Sequence, residues 1–374
     1  MTRPIRPGEV AALREQLRGW LVSPDDPRYD AARKVWNGRI DRRPSFVAFC
    51  ADEKEVVIAL RFAREHELLV AVRGGGHSCA GTAVCDDGFV IDLSPMKAIE
   101  VDAAARSAQA QGGVLWGELD RATQAFGLAV PGGTDSEVGI AGLTLGGGNG
   151  CLMGVHGATC DTPDTLTVYA CLICDGDRPV VAITACYVGS ADRAEATVAS
   201  LRKWGTIVTD QLRPMSYVEL QSLFDGARPA GRRCAMRSNF MAGLPDAAIE
   251  ILVEGYRTTP SPLSAVIVEH CHGAIARVAP DATAFGLRSN PYHLEILGFW
   301  DQAEEDAANL AWVERLFADV QPFNTGEVYV NSLDEGEGHR VREAYGINYT
   351  RLVALKAKFD PTNFFRCNHN IAPR

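Results

Sequence analysis

The chain has 374 residues, 47% of them hydrophobic and 22% charged, with mean hydropathy near zero and a formal net charge of −10. That length predicts two domains of a globular protein, and the acidic balance, with a pI of about 5.4, argues against a nucleic-acid or polyanion binder. The opening MTRPIRPGEVAALREQ lacks the apolar core of a secretory signal, no uncharged apolar run reaches membrane-spanning length, and 11 cysteines, an odd number, predict reduced and buried thiols. A cytoplasmic protein with no membrane partner is the expectation.

In chain order, Val10, Leu13, Leu17 and Leu21 recur at helical spacing and predict an opening surface helix from Glu9 to Leu21. Val35-Trp36-Asn37-Gly38 reads as a turn. Asp52 with Glu55 resembles a capping box for a helix carrying Val56, Leu60 and Ala63 to about His66. Leu68 to Val72 predicts a short buried strand, and it runs straight into Arg73-Gly-Gly-Gly-His77-Ser78. Glycine has the largest backbone entropy cost and offers a strand no packing, so a glycine run there implies that something approaches the backbone.

Without β-carbons, successive N–H groups can line an anion-binding concavity, and Arg73 would add a positive charge beside it. The expectation is a phosphate pocket at the carboxyl end of a strand, where α/β folds place ligands. Further strands are predicted at Gly88–Leu93 and Arg106–Gln111, then a helix between Val114 and Phe126 stopped by Gly127. Pro131-Gly132-Gly133 turns the chain into a second glycine-rich stretch, Gly139 to Gly150. Neither run has the spacing of a Rossmann or Walker motif.

Beyond Asp161 the pattern changes to local strand pairs with helices between them. Thr165–Cys174 and Val180–Val188 read as a hairpin about CDGDRP, with helices at Ala191–Trp204, Asp246–Tyr256 and Asp301–Val320 and strands at Ser264–His270 and Tyr292–Trp300. The tail reads as a strand at Tyr329-Val330-Asn331, a helix from Tyr349 to Phe359, and a compact docked end through Ile371. Cys171-Leu-Ile-Cys174 and His270-Cys271-His272 have ligand-like spacing but no partner cluster, so buried thiols and strand residues are expected there and no metal. Glu269 and Arg237 are either cleft residues or rim polar groups.

RGGGHS, WGELDRATQAFGLAVPGG, GLTLGGGNG and KAKFDPTNFFRCNHNI, in that order over nearly the whole chain, resemble the berberine-bridge-enzyme-like branch of FAD-linked oxidases. The resemblance implies an α+β fold: a vanillyl-alcohol-oxidase, or PCMH-type, FAD-binding domain built from both chain ends, with an inserted domain of antiparallel sheet and helices over the flavin. Its implied boundaries are 1–161, 162–326 and 327–374. It further implies that Arg73, Gly74, Gly75, Gly76, His77 and Ser78 wrap the pyrophosphate, and that His77 carries the flavin covalently through the 8-methyl carbon. Gly133, Thr134, Gly139, Gly142 and Thr144 would supply backbone contacts, and Asn368 and Asn370 would be cofactor-adjacent or seal the tail.

Asp135 stands where some members carry a second attaching cysteine, so one covalent link at most is expected. Tyr329 and Asn331 match a Tyr-x-Asn element, making Tyr329 the candidate base, which requires a lowered phenol pKa. The expected reaction is hydride transfer to FAD from a C–H beside a hydroxyl or amine of a sugar, alkaloid or other secondary metabolite. Dioxygen would be the second substrate.

The resemblance breaks after the second glycine run, where Cys151 replaces a tryptophan and Asp161 is followed by Thr162-Pro163 and then substrate-domain sequence. A block of the FAD domain is missing, which predicts unpaired strand edges and exposed apolar surface. The competing expectation is therefore a non-catalytic remnant or binding protein with impaired flavin binding.

Overall fold

The computed structural model describes residues 5–18, 20–156, 158, 166–199, 201–203 and 205–373. The junction at Asp161–Thr165 lies outside them.

The N-terminal part opens with α1 (Pro7–Gln16), β1 (Trp20–Val22), α2 (Tyr29–Ala32), β2 (Phe46–Phe49), α3 (Glu53–Glu65), β3 (Val70–Arg73) and β4 (Phe89–Asp92). These strands form one sheet in the order β1-β2-β4-β3, in which β4 is parallel to both β2 and β3. Asp52 caps α3 as its position predicts, accepting from the Glu55 N–H at 3.0 Å. Ala59, Phe62 and Ala63 of that helix then pack on Val70, Phe89 and Ile91 of the sheet. The opening helix stops at Gln16, short of Leu21, because residues 20–22 are recruited as a strand against β2.

A separate two-stranded hairpin follows, β5 (Ile99–Asp102) with β6 (Ser107–Ala110), and no third strand joins it among the described residues. Next come α4 (Trp116–Gln124), α5 (Ile140–Gly146) and α6 (Met153–His156).

The second large sheet is antiparallel throughout. Its strands are β7 (Leu166–Asp175), β8 (Arg178–Tyr187), β9 (Arg233–Met241), β10 (Ala265–His270) and β11 (Tyr292–Trp300), in the order β8-β7-β10-β11-β9. Helices α7 (Ala191–Val198), α8 (Tyr217–Gln221), α9 (Asp246–Arg257) and α10 (Ala274–Arg277) lie between them in sequence, and α11 (Asp306–Asp319) follows the last strand. Leu252 and Tyr256 of α9 and Trp312, Val313 and Leu316 of α11 cover Val266, Leu294 and Ile296 on one face. The tail adds α12 (Val341–Tyr345) and α13 (Tyr349–Phe359). No described helix is long and apolar enough to cross a membrane.

One sequence expectation fails here. Tyr329-Val330-Asn331 is not a strand: Val330–Ser332 is a single 3-10 turn closed by the Ser332 N–H to Tyr329 C=O bond of 3.0 Å. Within this turn Asn331 Nδ2 still reaches the Tyr329 hydroxyl at 2.7 Å.

Candidate active site

Three backbone stretches interlock at the ends of β3 and α5. A β-carbon on Gly75 would lie 2.4 Å from the Gly139 nitrogen, and one on Gly139 would lie 2.4 Å from the Gly75 nitrogen. One on Gly150 would lie 1.9 Å from the Gly132 carbonyl oxygen, so these glycines let the two glycine-rich runs pack backbone to backbone. Gly76 also takes a positive φ of 70°, which turns the loop toward His77.

Among the described residues, the backbone N–H groups of Gly74, Gly75, Gly76, His77 and Ser78 meet no acceptor, and neither do those of Gly133 and Thr134. Backbone donors inside a fold are almost always paired, so a run of unpaired ones on interlocked loops is a ready-made site for an anion. This donor set fits a pyrophosphate.

Arg73 does not contribute its charge there, contrary to expectation. Its guanidinium is buried, ion-paired with Asp92, and donates to the Lys34 and Ala32 carbonyls at 3.0 and 2.5 Å. The strand pairing that sets Arg73 beside Asp92 turns the side chain back into the sheet. Backbone amides are left as the anion donors.

His77 is half-buried and stacks on Trp36, with ring centroids 5.2 Å apart and an interplanar angle of 21°. Burial holds the imidazole below its ordinary pKa, with the Asp135 carboxylate opposing, so at neutral pH the ring is neutral and carries a free lone pair. Asn37, next to Trp36, fixes the segment after His77 to the second sheet. Its Nδ2 donates to the Cys79 carbonyl at 2.8 Å and the Cys234 carbonyl at 3.2 Å, while its Oδ1 accepts from the Cys234 N–H at 3.1 Å.

The Tyr-x-Asn element meets the second glycine run. The Tyr329 hydroxyl accepts from the Gly148 N–H at 2.8 Å and from Asn331 Nδ2 at 2.7 Å, and Asn331 Nδ2 also reaches the Leu143 carbonyl at 3.1 Å. A β-carbon on Gly146 would lie 2.0 Å from Asn331 Oδ1, so Gly146 is the position that lets Asn331 in. Burial pushes the Tyr329 phenol up, with its two hydrogen bonds only partly offsetting this, whereas a phenolic base needs the opposite shift.

The sequence did not single out His293. It is buried on β11, stacks on Phe240 at 4.8 Å, and meets the Tyr329 ring edge-on at 5.7 Å. Its Nδ1 lies 2.8 Å from Glu269 Oε2, and Asn149 Nδ2 lies 3.4 Å from the same oxygen. Burial disfavours the imidazolium, but the Glu269 hydrogen bond and the charges of Glu269 and Glu295 outweigh it and hold His293 above its ordinary pKa. His293 Nε2, Asn149 Oδ1 and the Tyr169 hydroxyl are buried without a hydrogen-bond partner. Polar atoms so placed lose several kcal/mol of hydration, roughly 1–3 each, unless something binds them.

The remaining expected residues divide. Gly133 is buried against Leu143. Thr134 is half-buried, and Ser78 accepts from the Thr82 hydroxyl at 3.1 Å. Gly142 and Thr144 lie on the open face of α5, where nothing stands within 4 Å of a Gly142 β-carbon and the Thr144 hydroxyl bonds back to the Ile140 carbonyl. Asn370 is half-buried with its Oδ1 unpartnered, but Asn368 is exposed. Glu269 faces the cluster described above, whereas Arg237 turns to Glu314, Asp334 and Glu337 at the rim.

An amide-lined loop at the end of a parallel strand pair, together with buried acid–base groups on an antiparallel sheet, fits a nucleotide-cofactor oxidoreductase. Sequence comparison makes this specific: an FAD binding domain matches residues 44–172, and a berberine and berberine-like segment matches residues 328–372. The chain therefore carries an FAD binding domain and a berberine-like segment, it is similar to the berberine-bridge-enzyme-like FAD-linked oxidoreductases, and its cofactor is FAD.

It is 24% identical to an FAD-linked oxidoreductase of Dictyostelium discoideum over 437 positions, covering 96% of both chains. An uncharacterized FAD-linked oxidoreductase of Bacillus subtilis is 27% identical, over 96% of this chain and 98% of its own. (R)-6-hydroxynicotine oxidase of Paenarthrobacter nicotinovorans is 39% identical over 103 residues, 28% of this chain and 22% of that one. The crystal structure of 6-hydroxy-D-nicotine oxidase from Arthrobacter nicotinovorans superposes with a TM-score of 0.87 at 24% identity, over 96% of this chain and 98% of that one. The Dictyostelium alignment is longer than the 374 residues here, so that relative carries residues without a counterpart in this chain.

Proposed function

We propose that the chain is an oxidase that removes the elements of hydride and proton from a small molecule carrying a C–H beside a hydroxyl or amine, with dioxygen as the final electron acceptor and hydrogen peroxide as product. What carries this reading is that the second glycine run joins two features: its Gly139 packs on Gly75 of the acceptorless loop, and its Gly148 holds the Tyr329 hydroxyl beside the buried Glu269–His293 pair. FAD supplies the hydride acceptor. The loop amides would donate hydrogen bonds to the cofactor's phosphates, and neutral His77 would be the covalent attachment point. Gly133, Gly139, Gly142 and Asn370 line the same cradle.

Proton removal falls to Tyr329 or its neighbour, and the electrostatics favour the neighbour. Deprotonated His293 has an unpartnered Nε2 to receive the substrate proton, and Glu269 at 2.8 Å stabilises the imidazolium so formed. Tyr329, held by Gly148 and Asn331, orients the substrate oxygen or nitrogen. We assign residues 1–161 and 327–374 to the FAD-binding domain and 162–326 to the substrate domain. A cytoplasmic setting is part of the same proposal.

The test begins with acid precipitation of the purified protein. Flavin that stays with the pellet in the wild type and is released in His77→Ala supports covalent attachment at His77; covalent flavin persisting in that variant overturns it. Holoenzyme is then screened for peroxide formation against sugars, secondary alcohols and cyclic amines including 6-hydroxynicotine. A flavin-loaded protein silent on the whole panel would favour a binding protein over an oxidase.

A further inference from the structure

Ten cysteines are described and all are free. Most are shielded and inert: burial pushes Cys50 and Cys151 up to about 12, and Cys171 and Cys186 up to about 11. Cys79 and Cys234 face one another with their sulfurs 3.9 Å apart, but both are buried, and hydrogen bonding between them together with burial keeps Cys234 a thiol.

Cys367 differs in each respect. It lies in the C-terminal segment, is partly exposed, and packs on a larger buried cluster that includes Val84, Cys85 and Val90. Its sulfur lies 3.6 Å from the Thr82 carbonyl and 3.8 Å from that of Val84, the residue before Cys85. Arg42 shares the Val84 carbonyl, donating to it at 3.1 Å and to the Gly81 carbonyl at 3.2 Å, so a guanidinium stands beside this segment. Hydrogen bonding from Cys85, aided by Arg42 and Arg366 and opposed by burial and Asp86, lowers Cys367 to about 7. A partly exposed thiol in a cationic setting with a second thiol at hand is the environment in which cysteines react with peroxides.

We propose that Cys367 is a hydroperoxide-reactive thiol and that Cys85 resolves it as an intramolecular disulfide. The Cys367 thiolate attacks one peroxide oxygen; the O–O bond breaks, leaving a sulfenic acid on Cys367 and hydroxide. The Cys85 sulfur then attacks the Cys367 sulfur, the S–O bond breaks, and the leaving hydroxide takes the Cys85 proton as water. Two thiols and one hydrogen peroxide become one disulfide and two waters. Cys85 is buried, which bars it from solvent peroxide but not from a neighbour already oxidised. The bond would tie the segment carrying Asn370 to the loop that follows His77. Hydrogen peroxide is the product of the oxidase reading above, but this site requires only that peroxide be present.

The experiment uses the full-length protein as purified, with added hydrogen peroxide as the probe, so it does not depend on the protein's own turnover. Native alkylation should modify Cys367 about tenfold faster than any other thiol. After stoichiometric peroxide, quenching and non-reducing digestion, the Cys367 peptide should appear joined to the peptide spanning residues 74–97, less two hydrogens, and fragmentation should place the bond at Cys85. In Cys85→Ser the Cys367 sulfenic acid should persist and be captured by dimedone, and in Cys367→Ser no joined peptide should form. A Cys79–Cys234 disulfide forming first, a joined peptide that survives Cys85→Ser, or Cys367 still a free thiol in excess peroxide would each overturn the assignment. The wild-type digest decides the matter even where a variant folds poorly.

Discussion

Asp120 offers a quantitative test of how the second glycine loop is supported. It sits on α4, almost fully buried, with neither carboxylate oxygen in a hydrogen bond, beside Tyr217 and Gln221 of α8 and below Trp116. The Trp116 ring in turn seals Gly132, where a β-carbon would lie 2.6 Å from it. Burial raises the Asp120 pKa from 3.8 to about 7, with the Gln221 amide and Arg121 only partly opposing. A folded value above the unfolded one means that the folded chain holds the proton more tightly. The stabilisation is complete below about 4 and is lost as pH rises to about 7, a span worth about 4 kcal/mol at 1.4 kcal/mol per tenfold.

Asp120→Asn removes the titration while keeping shape and hydrogen-bonding capacity. Its stability relative to the wild type should climb by about 1.4 kcal/mol per pH unit between about 4 and 7 and then level off. Urea unfolding of both proteins at pH 5, 6, 7 and 8 measures the difference directly. A gap independent of pH would refute the idea that burial raises the Asp120 pKa, and with it the view that α4 and α8 meet through unsatisfied polar groups.

Three further outcomes follow from the site. Gly75→Ala should destabilise the protein by about 1–3 kcal/mol or more and abolish flavin retention, because the new methyl strikes the Gly139 backbone. Gly142→Ala, which meets open space inside a helix, should stabilise the flavin-free protein by about 0.5–1 kcal/mol yet reduce FAD content, and unchanged FAD content would remove Gly142 from the cofactor site. Glu269→Gln should cost about 3–5 kcal/mol at pH 6, where the imidazolium is paired. Because the His293 pKa is raised, that loss should shrink as pH climbs through the folded value, which stability curves from pH 5 to 9 would show.

Much of this was legible from local pattern. The hairpin of β7 and β8, the helix Tyr349–Phe359 and both glycine runs follow from spacing alone, since each is fixed by neighbours in sequence. The failures were non-local. Arg73 looks like an anion binder until β4 brings Asp92 beside it. Strand β9 escaped notice because Arg233 and Arg237 interrupt its apolar run, yet their partners Asp306 and Glu314 lie on α11. His293 read as one more strand residue, and only the pairing of β10 with β11 sets it opposite Glu269. The resemblance singled out the Tyr-x-Asn element, and its turn conformation was hidden because three residues beginning with a tyrosine and a valine read equally well as a strand.

The Asn37 contacts also bear on synthesis. The amide that holds the segment behind His77 finds its second partner 197 residues later, at Cys234, and Gly38 is likewise held by the Arg232 carbonyl. On the ribosome the early parallel sheet can form by itself, but its glycine loop stays unclamped until β9 has left the exit tunnel, and the Tyr329 turn arrives later still. FAD loading is therefore a late event for this chain, and nascent protein must survive most of its own translation with the cofactor cradle open.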